Sequence, residues 1–191
     1  AFTISHEKFF DMTGQIISFL YLYTAKINRH FIEGSFEDGL KLVPEINRLI
    51  KKYGRFIDIH RIMVFNYKTA WLYLGSGNPG QSIEYLNKIL NLQSAGHLRT
   101  DIQCYARLMH LMAHFELHHF NLLEHLVDSV GRFFGKMRDL NEVQMVLFQF
   151  FKNVLQLCIM GVFCCTAVFF RAQLFLVLHV LQKALLFFGE C

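Results

Sequence analysis

With 191 residues, 53% of them hydrophobic, the chain has the length of one domain, or of one domain with an appendage, and can fill a sizeable core. Only 2 prolines and 12 glycines stand among long periodic runs, which argues for an all-α chain with short connections. A net charge of +4 is mild, and the only dense basic cluster, Lys51, Lys52 and Arg55, sits at a helix end with no groove-reading motif, which argues against nucleic-acid binding.

The opening AFTISHEKFF has no charged start followed by an apolar core, so no secretory signal is expected. It also lacks an initiator Met, which suggests a fragment or processed chain, and whether earlier repeats precede it stays open. Asp11 to Ile32 and Phe36 to Tyr53 read as a first helical hairpin. Its turn is Glu33-Gly34-Ser35, with Gly34 the left-handed residue and Ser35 the cap of the next helix. Pro44 falls inside the second helix and should kink it or start it late, near Val43. Tyr53 to Asp58 is a connector.

The stretch from Phe65 to Leu92 reads as a second hairpin. Val64, Tyr67, Trp71 and Leu74 recur at helical spacing, as do Ile83, Leu86 and Leu90 after a break. Gly77 can end the first helix in the left-handed conformation, Asn78 can cap the next, and Pro79 suits its first turn. A turn this short forces the two helices to pack antiparallel.

A third hairpin spans Thr100 to about Phe134. Thr100-x-x-Gln103 has capping-box spacing, and Tyr105, Leu108, Met112 and Phe115 lie along one helix. Leu123, Leu126, Val127, Val130, Phe133 and Phe134 give the other an apolar stripe. Aligning the turns at Gly34, Gly77 and His118 gives separations of 43 and 41 residues, the quasi-period of stacked supersecondary units. Asp139-x-x-Glu142 starts a further helix that runs to about Leu155.

Residues of the second hairpin resemble a tetratricopeptide repeat. With the register fixed on the Gly77 turn, Ala70-x-x-Tyr73 and then Ser82-x-x-x-Leu86-x-x-Ile89 follow that family's order of small and large positions. Trp71-x-x-Leu74-Gly75 copies its opening literally but leaves too few residues before the turn. Ile89 is larger than the family's usual residue, and no proline closes the repeat near Ser94. In the third hairpin Leu123 stands where a small residue is usual, and His118 replaces the turn glycine. The resemblance covers roughly residues 15 to 155 and is nearest to divergent bacterial members of the family.

That resemblance implies a right-handed α-solenoid of stacked antiparallel hairpins, residues 1–155, acting as a non-catalytic scaffold for protein–protein interaction. A peptide or partner protein would dock in a groove lined by the first helix of each pair. The corresponding positions are Val64, Tyr67, Trp71 and Leu74, then Tyr105, Leu108, Met112 and Phe115. Tyr67 and Trp71 would be aromatic anchors, Tyr105 and Met112 would extend the apolar contact, and Arg107 with Lys68 would select acidic partners. The competing reading is that these aromatics pack between units, as large apolar residues at helical spacing usually do.

Composition changes at about residue 156. From there to Cys191 the only charged residues are Arg171, Lys183 and Glu190, and four of the five cysteines occur. Val154 to Phe170 is an uncharged run of 17 residues, at the lower limit for spanning a bilayer. Three readings of residues 156–191 stay open: a terminal helix pair capping the stack, a membrane anchor, or a tail read out of frame. The second would make the protein a membrane-tethered adaptor.

No Cys-x-x-Cys pair occurs, so zinc-ribbon and thioredoxin-like chemistry have no support, and the thiols read as reduced in a cytoplasmic protein. His110, His114 and His118, spaced four apart, invite a metal reading, with His119 and His125 nearby. Arg107 lies one turn before His110 on that stripe and sets a fixed positive charge beside any cation, so no metal is expected, nor any cofactor. No phosphate loop, nucleophile elbow or facing pair of carboxylates is present, and no enzyme is expected.

Overall fold

The computed structural model describes residues 6–92, 99–137 and 142–159. All regular structure among them is helical: α1 (His6–Glu33), α2 (Phe36–Leu40), α3 (Val43–Tyr53), α4 (Ile59–Gly75), α5 (Pro79–Leu90), α6 (Thr100–Glu116), α7 (Phe120–Phe134) and α8 (Glu142–Ile159). Two compact units divide the chain, Ala1–Met137 and Arg138–Cys191. The change of composition at residue 156 therefore falls inside α8 and not between the units. Residues 160–191 lie outside the described residues, and the readings of the tail as cap, anchor or out-of-frame sequence lie there with them. Among the described residues no helix is long and apolar enough to cross a membrane.

Three chain reversals of the first unit share one backbone solution. Gly34, Gly77 and His118 all take positive φ, at 70°, 76° and 57°. In each, the amide after the left-handed residue donates back to the carbonyl five positions earlier: Ser35 to His30 at 3.0 Å, Asn78 to Tyr73 at 2.8 Å, His119 to His114 at 3.0 Å. This closure satisfies carbonyls that a helix end otherwise leaves without partners. The alignment of the three turns in sequence thus corresponds to a repeated geometry.

Other ends differ from the expected chemistry. Ser35 precedes α2 but makes no side-chain cap; its hydroxyl lies 2.8 Å from His30 Nδ1 and 3.3 Å from Glu33. Thr100 is the first residue of α6 and does not cap it, because Arg99 holds the cap position in the left-handed conformation and clamps Asp101 at 2.7 Å. Asn78 does cap α5, and Pro79 occupies its first turn. Pro44 starts α3 late, as its missing amide requires, leaving Lys41 and Leu42 as a step between α2 and α3.

Helix α4 packs on α5, α5 on α6 and α6 on α7, which makes antiparallel hairpins of α4–α5 and α6–α7. Helix α4 also meets α1, α2 and α6, and α1 meets α2 and α3. The α2–α4 approach is close enough to need glycine on both sides. A Cβ on Gly75 would stand 2.6 Å from the Phe36 ring, and one on Gly39 would stand 2.6 Å from Leu72. Gly75, which matches the family's opening motif, is thus accounted for locally by the seat of Phe36.

His118 carries a Cβ in a conformation that glycine adopts freely. His118→Gly should therefore raise stability by about 0.5–1 kcal/mol in urea melts, after allowance for glycine's greater freedom in the unfolded chain.

Candidate functional site

The partner-binding residues expected from sequence sit on α4 (Tyr67, Lys68, Trp71) and α6 (Tyr105, Arg107, Met112). Tyr67, Trp71, Tyr105 and Met112 are all buried, Trp71 to 2% exposure. Leu74, Leu108 and Phe115, expected to line the same groove, are also buried, and only Val64 is half-buried. The burial fits the packing reading of these side chains, since a covered ring offers no surface to a partner.

The Trp71 indole Nε1–H donates to the Tyr67 hydroxyl at 3.0 Å, one helical turn away. Burial pushes the Tyr67 phenol well above its usual range, and the bond from Trp71 opposes that shift only in part. Neither polar atom of the pair is left unmatched, which is what lets two large amphipathic rings enter the core. Truncating a side chain buried like Trp71 costs about 3–5 kcal/mol.

Two cations were expected to face acidic partners, and both have partners within the fold. Lys68 Nζ donates to Asn28 Oδ1 on α1. Burial pulls its ammonium down to about 8, because the charged form loses its hydration. Arg107 stacks its guanidinium 3.5 Å from the Phe133 ring centroid and donates to the Gln103 carbonyl at 3.1 Å. That stack joins α6 to α7, and burial lowers the guanidinium's affinity for its proton.

Histidines form a chain at the α6–α7 corner, with different members from those the spacing suggests. The His110 and His114 rings meet edge-on at 4.5 Å between centroids. His118 lies beyond the helix end in the left-handed turn, and His119 takes the third place, with its Nδ1 3.0 Å from His114 Nδ1. One of these two nitrogens must donate and the other accept. Among the described residues no group of three histidine, cysteine or acidic side chains is arranged to hold a metal ion.

Large apolar side chains remain outside on α1: Ile17 at 49% exposure, Tyr21 at 65%, Leu22 at 51% and Ile32 at 67%. Gly14, Ser18 and Ala25, also exposed, lie on the same side of the helix. The opposite side, with Ile16, Phe19, Ile27 and Phe31, is buried. No motif marks this outer face, but the composition does: Ile16 to Tyr23 has a single small polar residue, Ser18, so apolar side chains run all round the helix. Comparison with protein-family models, with curated proteins and with solved structures finds no match.

Burial, then His114 and Arg107, lower the His110 imidazolium to about 4, and burial followed by His119 lowers His114. Groups favoured as neutral in the fold bind more protons when unfolded, so their stabilisation is complete above pH ~6.5 and is lost as pH falls toward 4. Unfolding free energies from urea melts should drop over that window, by about 2–3 kcal/mol from His110, and His110→Gln should flatten the drop.

Proposed function

We propose that this chain is a non-catalytic scaffold of tetratricopeptide-like helical hairpins that binds another protein, through the outer face of α1 rather than through the residues at the centre of α4 and α6. The observation that carries this reading is the exposure of Ile17, Tyr21, Leu22 and Ile32 along one 28-residue helix. Scattered single apolar residues on a surface need no explanation, but Ile17, Tyr21 and Leu22 cluster within two turns, with Ile32 farther along beside the Arg29–Glu33 ion pair, and such a cluster marks an interaction site. The partner that fits is an amphipathic helix. The small residues Gly14, Ser18 and Ala25 would let its backbone approach, while Tyr21 and Ile32 would enter between its side chains.

Cys104 suits a scaffold with no thiol chemistry. It is buried, and burial pushes its thiol up to about 11, which keeps it protonated and unreactive. In this reading the protein works in the cytoplasm.

Selection of helical peptides on the immobilised chain tests the proposal. Enriched peptides should bind the double variant Tyr21→Asp, Ile32→Asp at least about tenfold more weakly, with its helical melt unchanged. A selection that enriches nothing, or peptides indifferent to these two substitutions, would count against the α1 face.

A further inference from the structure

From Lys51 to Arg61 the chain turns out of α3 and into α4, carrying four exposed cations, Lys51, Lys52, Arg55 and Arg61, against one carboxylate, Asp58. Asp58 is committed to the cap of α4, where its Oδ1 accepts from the His60 amide at 2.8 Å, with the His60 ring 3.9 Å away. None of the four cations makes an ion pair with a carboxylate among the described residues. Basic residues just before them are neutralised: Lys41 pairs with Asp38 and Arg48 with Glu45, each at 2.6 Å. Between Lys41 and Arg61 the unpaired positive charge therefore falls at the α3–α4 corner.

The corner also exposes apolar groups among those cations. Phe56, in the middle of the turn, is 51% exposed, and Ile59, opening α4, is 36% exposed. Between them Ile57 is buried. Behind the turn Tyr53 is buried and donates to Gln15 on α1 at 2.6 Å, and the Phe56 amide donates to the Tyr53 carbonyl at 2.8 Å. The ring of Phe56 is thus carried on a turn fixed to the core. Along the chain Lys51 and Lys52 precede it, Arg55 adjoins it and Arg61 follows it, and all four are exposed.

We infer that the α3–α4 corner is a docking surface for an anionic phospholipid membrane. Its polarity matches that of a bilayer surface: Phe56 and Ile59 enter the boundary between headgroups and acyl chains, while the flanking ammonium and guanidinium groups sit among lipid phosphates. A bare polyanion would answer the charge alone, whereas an anionic bilayer surface answers both the charge and the two apolar side chains that stand among it. The contact is peripheral, depends on ionic strength, and uses none of the α1 residues, so it and the proposed protein-binding face stand or fall separately.

Co-sedimentation of the full chain with phosphatidylcholine vesicles, with and without phosphatidylserine, tests this. The protein should pellet with the phosphatidylserine vesicles, remain in solution with the neutral ones, and release as salt is raised. Lys51→Glu with Lys52→Glu should lower the partition coefficient at least about tenfold, since each cation near an anionic surface is worth roughly fivefold. Phe56→Ser should lower it severalfold on the same vesicles, with circular dichroism confirming an unchanged fold in each variant. Failure to pellet with anionic vesicles would overturn the inference. So would equal pelleting with both vesicle types, or pelleting that survives the double charge reversal, since another part of the chain would then make the contact. If polyglutamate or a single-stranded oligonucleotide competes fully and Phe56→Ser changes nothing, the corner is a polyanion patch and the membrane assignment falls.

Discussion

The hydrogen bond from Trp71 to Tyr67 lies at the centre of the helix on which the first unit is assembled. Helix α4 packs against α1, α2, α5 and α6, so little of its surface is left to water. Two amphipathic rings can occupy such a position because each satisfies the other's polar atom, and burying either alone would strand a donor or an acceptor. Leu72, Leu74 and Ala70 of the same helix have no exposure at all. Close packing then propagates outward: Phe36 rests on Gly75, Leu72 on Gly39, and Ser82 on α5 is enclosed completely.

Around this centre the chain turns three times with the same device. A left-handed residue and an amide bond back to the helix end fix the exit direction of the chain, so that the next helix must return along the last. The fold also keeps polar groups where apolar ones would be cheaper. Lys68 is held partly desolvated against Asn28, and His110 and His114 contribute imidazoles whose burial opposes protonation. These groups link α1 to α4 and α6 to the turn that follows it, and they make the unit's stability depend on pH where its apolar core alone would not.

Much of the architecture was legible because helix boundaries are written in local chemistry. Gly34, Gly77, Asn78, Pro79 and Pro44 each dictate a backbone event that no distant contact can easily override. Even His118 was legible as a turn through its spacing from Gly77, although its residue type pointed away from one. Caps were less legible, because a hydroxyl chooses among partners: that of Ser35 bonds the His30 ring, and Arg99 displaces Thr100 from the start of α6. Helical spacing does not extend past the end of α6, where the left-handed turn brings His119 rather than His118 against His114. Surface residues were the least legible. Periodicity shows that Trp71 and Tyr105 share an apolar face with their neighbours but not which element covers it, whereas the exposed row on α1 lies in a run with no polar side to contrast with it.

Trp71 is the only tryptophan in the chain, which makes its fluorescence a direct report on the centre of the fold. The native protein should emit at short wavelength and resist quenching by iodide, with emission moving to long wavelength and quenching appearing together with the loss of helical signal on melting. Long-wavelength emission and free quenching in the native state would place the indole at the surface and contradict a core built on the Trp71–Tyr67 pair.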